Sequence, residues 1–259
     1  MFVFRTLLAA AVLFLTVVSA PKADDSTKVV HVYVALCDNA NQGIVPVSAE
    51  LGNGQSARTN LYWGAMYGVK TFLHNSPDWR KLTCRRNPRE NVLDRCVFRS
   101  RDSSVIVVAE AYDGAHIRQT VTDFLEAASG AARDTLYLAH DMIVCGGASD
   151  LVVYVGHNGL MDFSLDSYPK AVDSTRRDVI ILACASKSYF GPALDSAGAY
   201  PLLWTTGLMA PEAYTLHAAI GAWAKGWSDS TIAREAAAAY HHYQTCGLRA
   251  AQNLLVTGR

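Results

Sequence analysis

Five short runs of apolar, β-branched residues recur along the chain, and each ends on polar or glycine residues. Lys28 to Cys37 (KVVHVYVALC) predicts a first strand ended by Asp38-Asn39, and Ser104 to Tyr112 (SVIVVAEAY) a second ended by Asp113-Gly114. Leu151 to Val155 predicts a third, Asp178 to Ala183 a fourth and Tyr200 to Thr206 a fifth. Continuous Val/Ile runs suit strands buried on both faces, as in a parallel sheet covered by helices on either side. Helical periodicity fills much of the remainder. Thr59-Asn60 caps a predicted helix from Leu61 to Phe72, and Ile117 to Ala128 forms another, closed by Gly130. Further helices are expected at about Ala131 to Val144, Phe190 to Ala197, Pro211 to Lys225 and Ser230 to Leu255. Leu160 to Arg177 leaves room for a short crossover helix between the third and fourth strands. The alternation predicts an α/β fold, a three-layer sandwich with a mainly parallel central sheet.

Composition narrows the class. With 259 residues, 51% of them hydrophobic, the chain can bury a large core, and no Pro/Ser-rich linker or charge run divides it. A single α/β domain is expected from residue 26 to residue 259. Lys plus Arg and Asp plus Glu number 23 each, without a basic stripe, which argues against a nucleic-acid partner. At the start, Arg5 precedes an apolar stretch from Leu7 to Val18, ending in small residues at Ser19-Ala20. Residues 1–20 read as a secretory signal peptide, with an uncleaved membrane anchor as the alternative. The first reading implies a secreted or periplasmic protein without a membrane span after cleavage. Six cysteines in such a compartment suggest disulfides, first between Cys84 and Cys96, which flank a polar, Arg-rich loop. Cys37 and Cys145 lie near expected strand ends and Cys246 in the last helix. There is no C-x-x-C motif, and His241-His242 point different ways on a helix, so neither a metal nor a cofactor is implied.

The candidate chemistry sits where two apolar runs stop. Gly156-His157-Asn158-Gly159 follows the third strand and Cys184-Ala185-Ser186 the fourth. In open α/β sheets the carboxyl ends of the strands line the crevice that holds the chemistry. A thiol and an imidazole there suffice for nucleophilic catalysis, because the base accepts the thiol proton and the thiolate attacks a carbonyl. A nucleophile elbow of the glutamine-amidotransferase kind wants glycine two residues to each side of the thiol. Leu182 and Ser186 occupy those places.

The segments Val152-Val153-Tyr154-Val155-Gly156-His157-Asn158-Gly159 and Ile180-Ile181-Leu182-Ala183-Cys184-Ala185-Ser186 resemble the paired motifs of the caspase, legumain and gingipain cysteine peptidases. The Ala-Cys-x-Ser arrangement is most similar to the legumain branch. The resemblance implies a caspase-like fold, His157 as general acid/base, Cys184 as nucleophile and a peptide or protein substrate. It also implies an oxyanion hole from the backbone of Asn158, Gly159 and Cys184. Its specificity pocket would draw on Asp38, Asn39 and Asn41 after the first strand, and on Trp204, Thr205 and Thr206 at the fifth. Asp38 would favour a basic substrate side chain if it faces the pocket; otherwise it caps a turn. Asp162 and Asp166 are candidates to orient the imidazole or ordinary surface residues. The chain departs from the family at Asn158, where glycine is expected. Either the hole is rebuilt with help from Gly159, or the protein is a catalytically silent binding or scaffold domain. A thiol hydrolase of small amides or esters is a third reading.

Overall fold

The computed structural model describes residues 27–138 and 141–259; the predicted signal peptide lies outside the described residues. Five parallel strands form the centre of an eight-stranded sheet. They are β1 (Lys28–Ala35), β4 (Val105–Tyr112), β7 (Leu151–Gly156), β8 (Arg177–Leu182) and β9 (Ala199–Thr205). In space they run β9-β8-β7-β1-β4. A hairpin of β2 (Trp79–Arg89) and β3 (Val92–Ser100) extends the sheet antiparallel beyond β4, and β10 (Leu255–Val256) pairs antiparallel with β9 at the other edge.

Alternation along the strands feeds two cores. Val30, Val32, Val34, Val153, Val155, Ile180 and Leu182 pack towards α1 (Val69–Asn75), α4 (Ala213–Ala224), α5 (Asp229–Gln244) and α6 (Leu248–Leu254). Tyr33, Val152, Tyr154, Val179 and Ile181 face α2 (Ile117–Ser129) and α3 (Ser186–Ala197). Helices thus cover both faces of a mostly parallel sheet, as the apolar runs require. No helix among the described residues is long and apolar enough to cross a membrane.

Several segments differ from their sequence pattern. The described residues of 131–144 do not form a helix; β5 (Arg133–Tyr137) and β6 (Met142–Gly146) make a separate hairpin over Val29, Ile106 and Val108. Ile143 and Cys145 are the side chains of that hairpin that are fully buried, so alternation is confined to one strand. The crossover between β7 and β8 carries a single 3-10 turn, Gly159–Met161, and no α-helix. Residues 61–68 are successive turns, because the backbone at Gly64 and Gly68 passes too close to Arg58 and Trp63 for any side chain. The last long helix is two, broken where Thr245 and Gly247 adopt positive φ.

The Arg-rich segment is a hairpin rather than a loop, and Cys84 faces Cys96 across it in a disulfide. On the chain-entropy estimate, closing a loop of this size stabilises the fold by about 3 kcal/mol. A Cys84→Ser/Cys96→Ser double variant is expected to lose about that much in chemical denaturation. Reduction of the wild type should reproduce the loss, and an unchanged midpoint would assign the bridge no stabilising role.

Opposite α4, a charged network ties the hairpins to the sheet. Glu110 of β4 is wholly buried, and Arg95 of β3 pairs with its Oε1 and Arg89 of β2 with its Oε2, the latter at 2.9 Å. The guanidinium groups continue to Asp134 of β5 and Asp123 of α2, at 3.1 and 2.9 Å. His31 of β1 accepts the Gly146 amide on Nδ1 at 3.0 Å, and its Nε2 lies 3.4 Å from Glu110 Oε2. Burial opposes ionisation of Glu110, but His31, Arg89 and Arg95 overcome it and hold its carboxyl far below the usual range.

Candidate active site

The His-bearing and Cys-bearing strands are parallel neighbours, in register from Leu151↔Asp178 to Val155↔Leu182. His157 and Cys184 lie two residues beyond that last pair. Alternation from Val155 and Leu182 carries both towards the core shared with α1, α4 and α5. The two chain segments are joined directly: Asn158 Nδ2 donates to the Cys184 carbonyl at 2.7 Å.

His157 is 6% exposed and held from two directions. Its Nε2 lies 2.7 Å from Asp162 Oδ2, and the same carboxylate oxygen accepts the Gly43 amide at 3.0 Å. Asp162 therefore fixes the imidazole plane and ties it to the loop after β1. The Tyr154 phenol donates to the His157 carbonyl at 2.7 Å; burial, then the nearby Asp162, raises the pKa of that phenol, which keeps it a donor. Nδ1 of His157 has no hydrogen-bond partner among the described residues and is the ring atom left to exchange a proton. Asp166 is exposed and takes no part.

Cys184 is partly exposed, at the strand-to-helix turn before α3. Its Sγ sits against the backbone of Met209, accepting the amide at 3.4 Å and lying 3.6 Å from the carbonyl oxygen. No hydrogen bond joins this thiol to the imidazole. The turn depends on Ala185 at φ 47°, a left-handed conformation disfavoured for a residue with Cβ. Neighbouring groups enforce it. The Ala185 amide donates to Gly207 O at 2.7 Å, the Ser186 amide to Thr205 Oγ1 at 3.1 Å, and the Thr205 hydroxyl to Ala183 O. Ser186 Oγ meanwhile accepts the Thr205 amide at 2.9 Å.

The residues expected to form a specificity pocket mainly frame the site. Asp38 is buried, and its oxygens accept from the amides of Ala40 and Asn41 and from the side chains of Asn41 and Gln55, at 2.8 to 3.2 Å. Burial opposes its ionisation, but the Asn41 and Gln55 bonds prevail and lower the carboxyl pKa. This is the turn-capping role. Asn39 pairs twice with the Val47 backbone, at 2.8 and 3.0 Å. Trp204 is buried in the core on the opposite face from Cys184, with Lys187 over its ring, and Thr205 is wholly buried. Thr206 is exposed and donates to the Asn253 carbonyl.

The three residues anticipated for the oxyanion hole are linked by the bond from the Asn158 side chain to the Cys184 carbonyl. Gly159 is buried where a Cβ would lie 2.9 Å from the Phe163 ring, so a larger residue would require that ring to shift. The amides of Asn158, Gly159 and Cys184 donate to no backbone carbonyl among the described residues. The Asn158 side chain is buried and turned away from the crevice.

Sequence reading missed the surroundings of the thiol. Burial, followed by the Cys37 and Cys184 thiols, raises the Tyr62 phenol far above its ordinary pKa, so Tyr62 borders both sulfurs. Asn60, wholly buried, holds the Cys37 amide and carbonyl at 3.1 and 2.8 Å. Asn60 ends a polar run and reads in the sequence as a helix cap, and nothing local marks Met209. Burial pushes the Cys37 thiol up to about 11, so it stays protonated near neutrality. Alkylation with iodoacetamide at pH 7.5 to 8, a range set by ordinary thiol titration at roughly 8.5, is expected to modify Cys184 and exposed Cys246 while sparing Cys37 and Cys145. Peptide mapping reads the order, and early loss of Cys37 would contradict this packing.

Four cavities lie elsewhere. Spaces of about 650 and 430 Å³ flank α4, and others of about 400 and 290 Å³ adjoin the β2–β3 and β5–β6 hairpins; His157 and Cys184 line none of them. Among the described residues no group of three His, Cys, Asp or Glu is placed to hold a metal ion. Comparison of the chain with protein-family models, curated proteins and solved structures found no match.

Proposed function

We propose that the protein is a caspase-like cysteine peptidase that hydrolyses peptide bonds with Cys184 and His157. What carries the reading is the delivery of an oriented imidazole and a partly exposed thiol to the ends of adjacent parallel strands, with the segments joined by the 2.7 Å Asn158–Cys184 bond. The thiol gives its proton to His157, and the thiolate attacks the carbonyl carbon of a scissile bond held between them. The backbone amides of Asn158, Gly159 and Cys184 receive the negative oxygen. His157 returns the proton to the leaving nitrogen as the C–N bond breaks. It then takes a proton from water, which attacks the thioester and releases the acid and the free thiol. Asp162 steadies the imidazolium at both steps. Export follows from the reading of residues 1–20 and is part of the proposal.

The test is acylation of the purified protein by thiol-directed peptidyl electrophiles, combined with cleavage of mixed peptide libraries. Modification confined to Cys184, with turnover of a subset of peptides, is expected. A specific observation favours the silent scaffold as second reading: His157 is almost wholly buried, and neither residue lines any of the four cavities described above. Absence of acylation and cleavage across the libraries would select it. Turnover of small esters or amides alone would select the thiol hydrolase. Within the peptidase reading, Asp162→Asn should keep the geometry but lose the charge, lowering kcat by about 10- to 100-fold with little change in KM. An unchanged kcat would leave Asp162 only its bond to Gly43.

A further inference from the structure

Asn158 departs from the motif that the chain resembles, yet it is among the most fully engaged side chains of the site. It is wholly buried; Nδ2 donates to Cys184 O at 2.7 Å and Oδ1 accepts the Leu160 amide at 3.1 Å. One carboxamide thus spans the exits of β7 and β8. We propose that Asn158 is a positioning residue, which locks the His157 and Cys184 segments into one rigid unit while its backbone amide remains at the crevice. The role in turnover rests on the cysteine-peptidase reading; the lock itself does not.

The carbonyl that Asn158 holds belongs to the peptide plane between Cys184 and Ala185, where the chain turns into its left-handed conformation. Fixing that plane from the β7 side restricts rotation about the Cys184 backbone and hence the direction of Sγ. The Thr205 hydroxyl holds residues 183 and 186 from the β9 side. The nucleophile is therefore clamped from both neighbouring strands. Glycine at position 158 would leave the Cys184 carbonyl and the Leu160 amide without these partners, and unpaired buried groups of that kind are strongly disfavoured. The side chain also solves its own steric problem, because both of its polar ends are bonded to the protein backbone.

Two full-length variants separate the ends of the clamp. Asn158→Gly removes both bonds, whereas Asn158→Asp keeps an acceptor for Leu160 and places an oxygen against the Cys184 carbonyl. Acylation of Cys184 by a peptidyl electrophile requires precise geometry, while alkylation by iodoacetamide requires only an accessible thiol. In both variants acylation should fall at least about tenfold more than alkylation, since small misplacements at a reacting centre cost up to about 100-fold. Hydrogen exchange at the Leu160 amide should accelerate about tenfold or more in the glycine variant and much less in the aspartate variant. Equal loss of acylation and alkylation, or of neither, would overturn positioning of the thiol. Unchanged Leu160 exchange in the glycine variant would overturn the clamp. Should the wild type prove inert to acylation, the peptidase reading fails, but the exchange measurement still decides whether the two segments are locked.

Discussion

Cys184→Ala is expected to abolish acylation by peptidyl electrophiles and to reduce peptide hydrolysis by about 10⁴-fold or more, the scale seen when a covalent nucleophile is removed. The fold should survive. The sulfur is partly exposed and its hydrogen bonds are with the Met209 backbone, so its loss opens little cavity and costs about 1 kcal/mol or less. Unchanged far-ultraviolet dichroism and melting temperature alongside lost turnover would establish that the thiol acts chemically. Cys246→Ala is the control, since that thiol is also exposed but lies between α5 and α6. Wild-type turnover in the Cys184 variant would end the peptidase reading.

Glu110→Ala is expected to cause the largest loss of stability among single substitutions outside the apolar core, about 3 kcal/mol in chemical denaturation. Removing the carboxylate strands the Arg95 guanidinium, whose side chain is only 14% exposed, and leaves His31 Nε2 facing nothing. Arg89 is 37% exposed and can turn to solvent, which keeps the estimate at the lower end of the range for broken buried pairs. Because the folded-state pKa of Glu110 is depressed, its stabilising contribution is present above the ordinary carboxylate range. It is lost as pH falls from that range through the folded value. The difference between wild type and variant should therefore shrink on acidification, and a constant difference would place the effect in packing. Replacing Glu110, Arg89 and Arg95 together by Leu, Met and Met should recover much of the loss, as the guanidinium groups go with the carboxylate and the Asp123 and Asp134 that lose their arginines are more exposed than Glu110.

The legibility of the fold follows burial. Strands β1, β4, β7, β8 and β9 lie between helices, so their Val/Ile runs announce them, and their carboxyl ends locate His157 and Cys184. Strand β2 was not legible because it is an edge strand: most of Trp79–Arg89 is exposed, and arginines occupy positions that would alternate in a covered strand. The β5–β6 hairpin was missed for a related reason, as it buries only a small patch. At the site, the chain offered Asp162 and Asp166 equally, and only the 2.7 Å bond to His157 distinguishes them. Met209, 25 residues beyond Cys184, reaches the thiol through the return of the chain after β9, which no local pattern encodes. Nor does the one-letter departure at Asn158 reveal which way its side chain turns.

The left-handed Ala185 separates two properties that mutagenesis often conflates. Glycine there would relieve roughly 1–2 kcal/mol of backbone strain in the folded protein, yet it would also enlarge the entropy of the unfolded chain by an amount worth about 0.4–1 kcal/mol. Ala185→Gly should thus melt within a few degrees of the wild type while widening the range of orientations open to the preceding residue. Selection for thermal stability alone has little purchase on this position, whereas selection for turnover has a great deal. A laboratory population evolved for heat resistance should accept glycine there freely, and one evolved for catalytic rate should reject it.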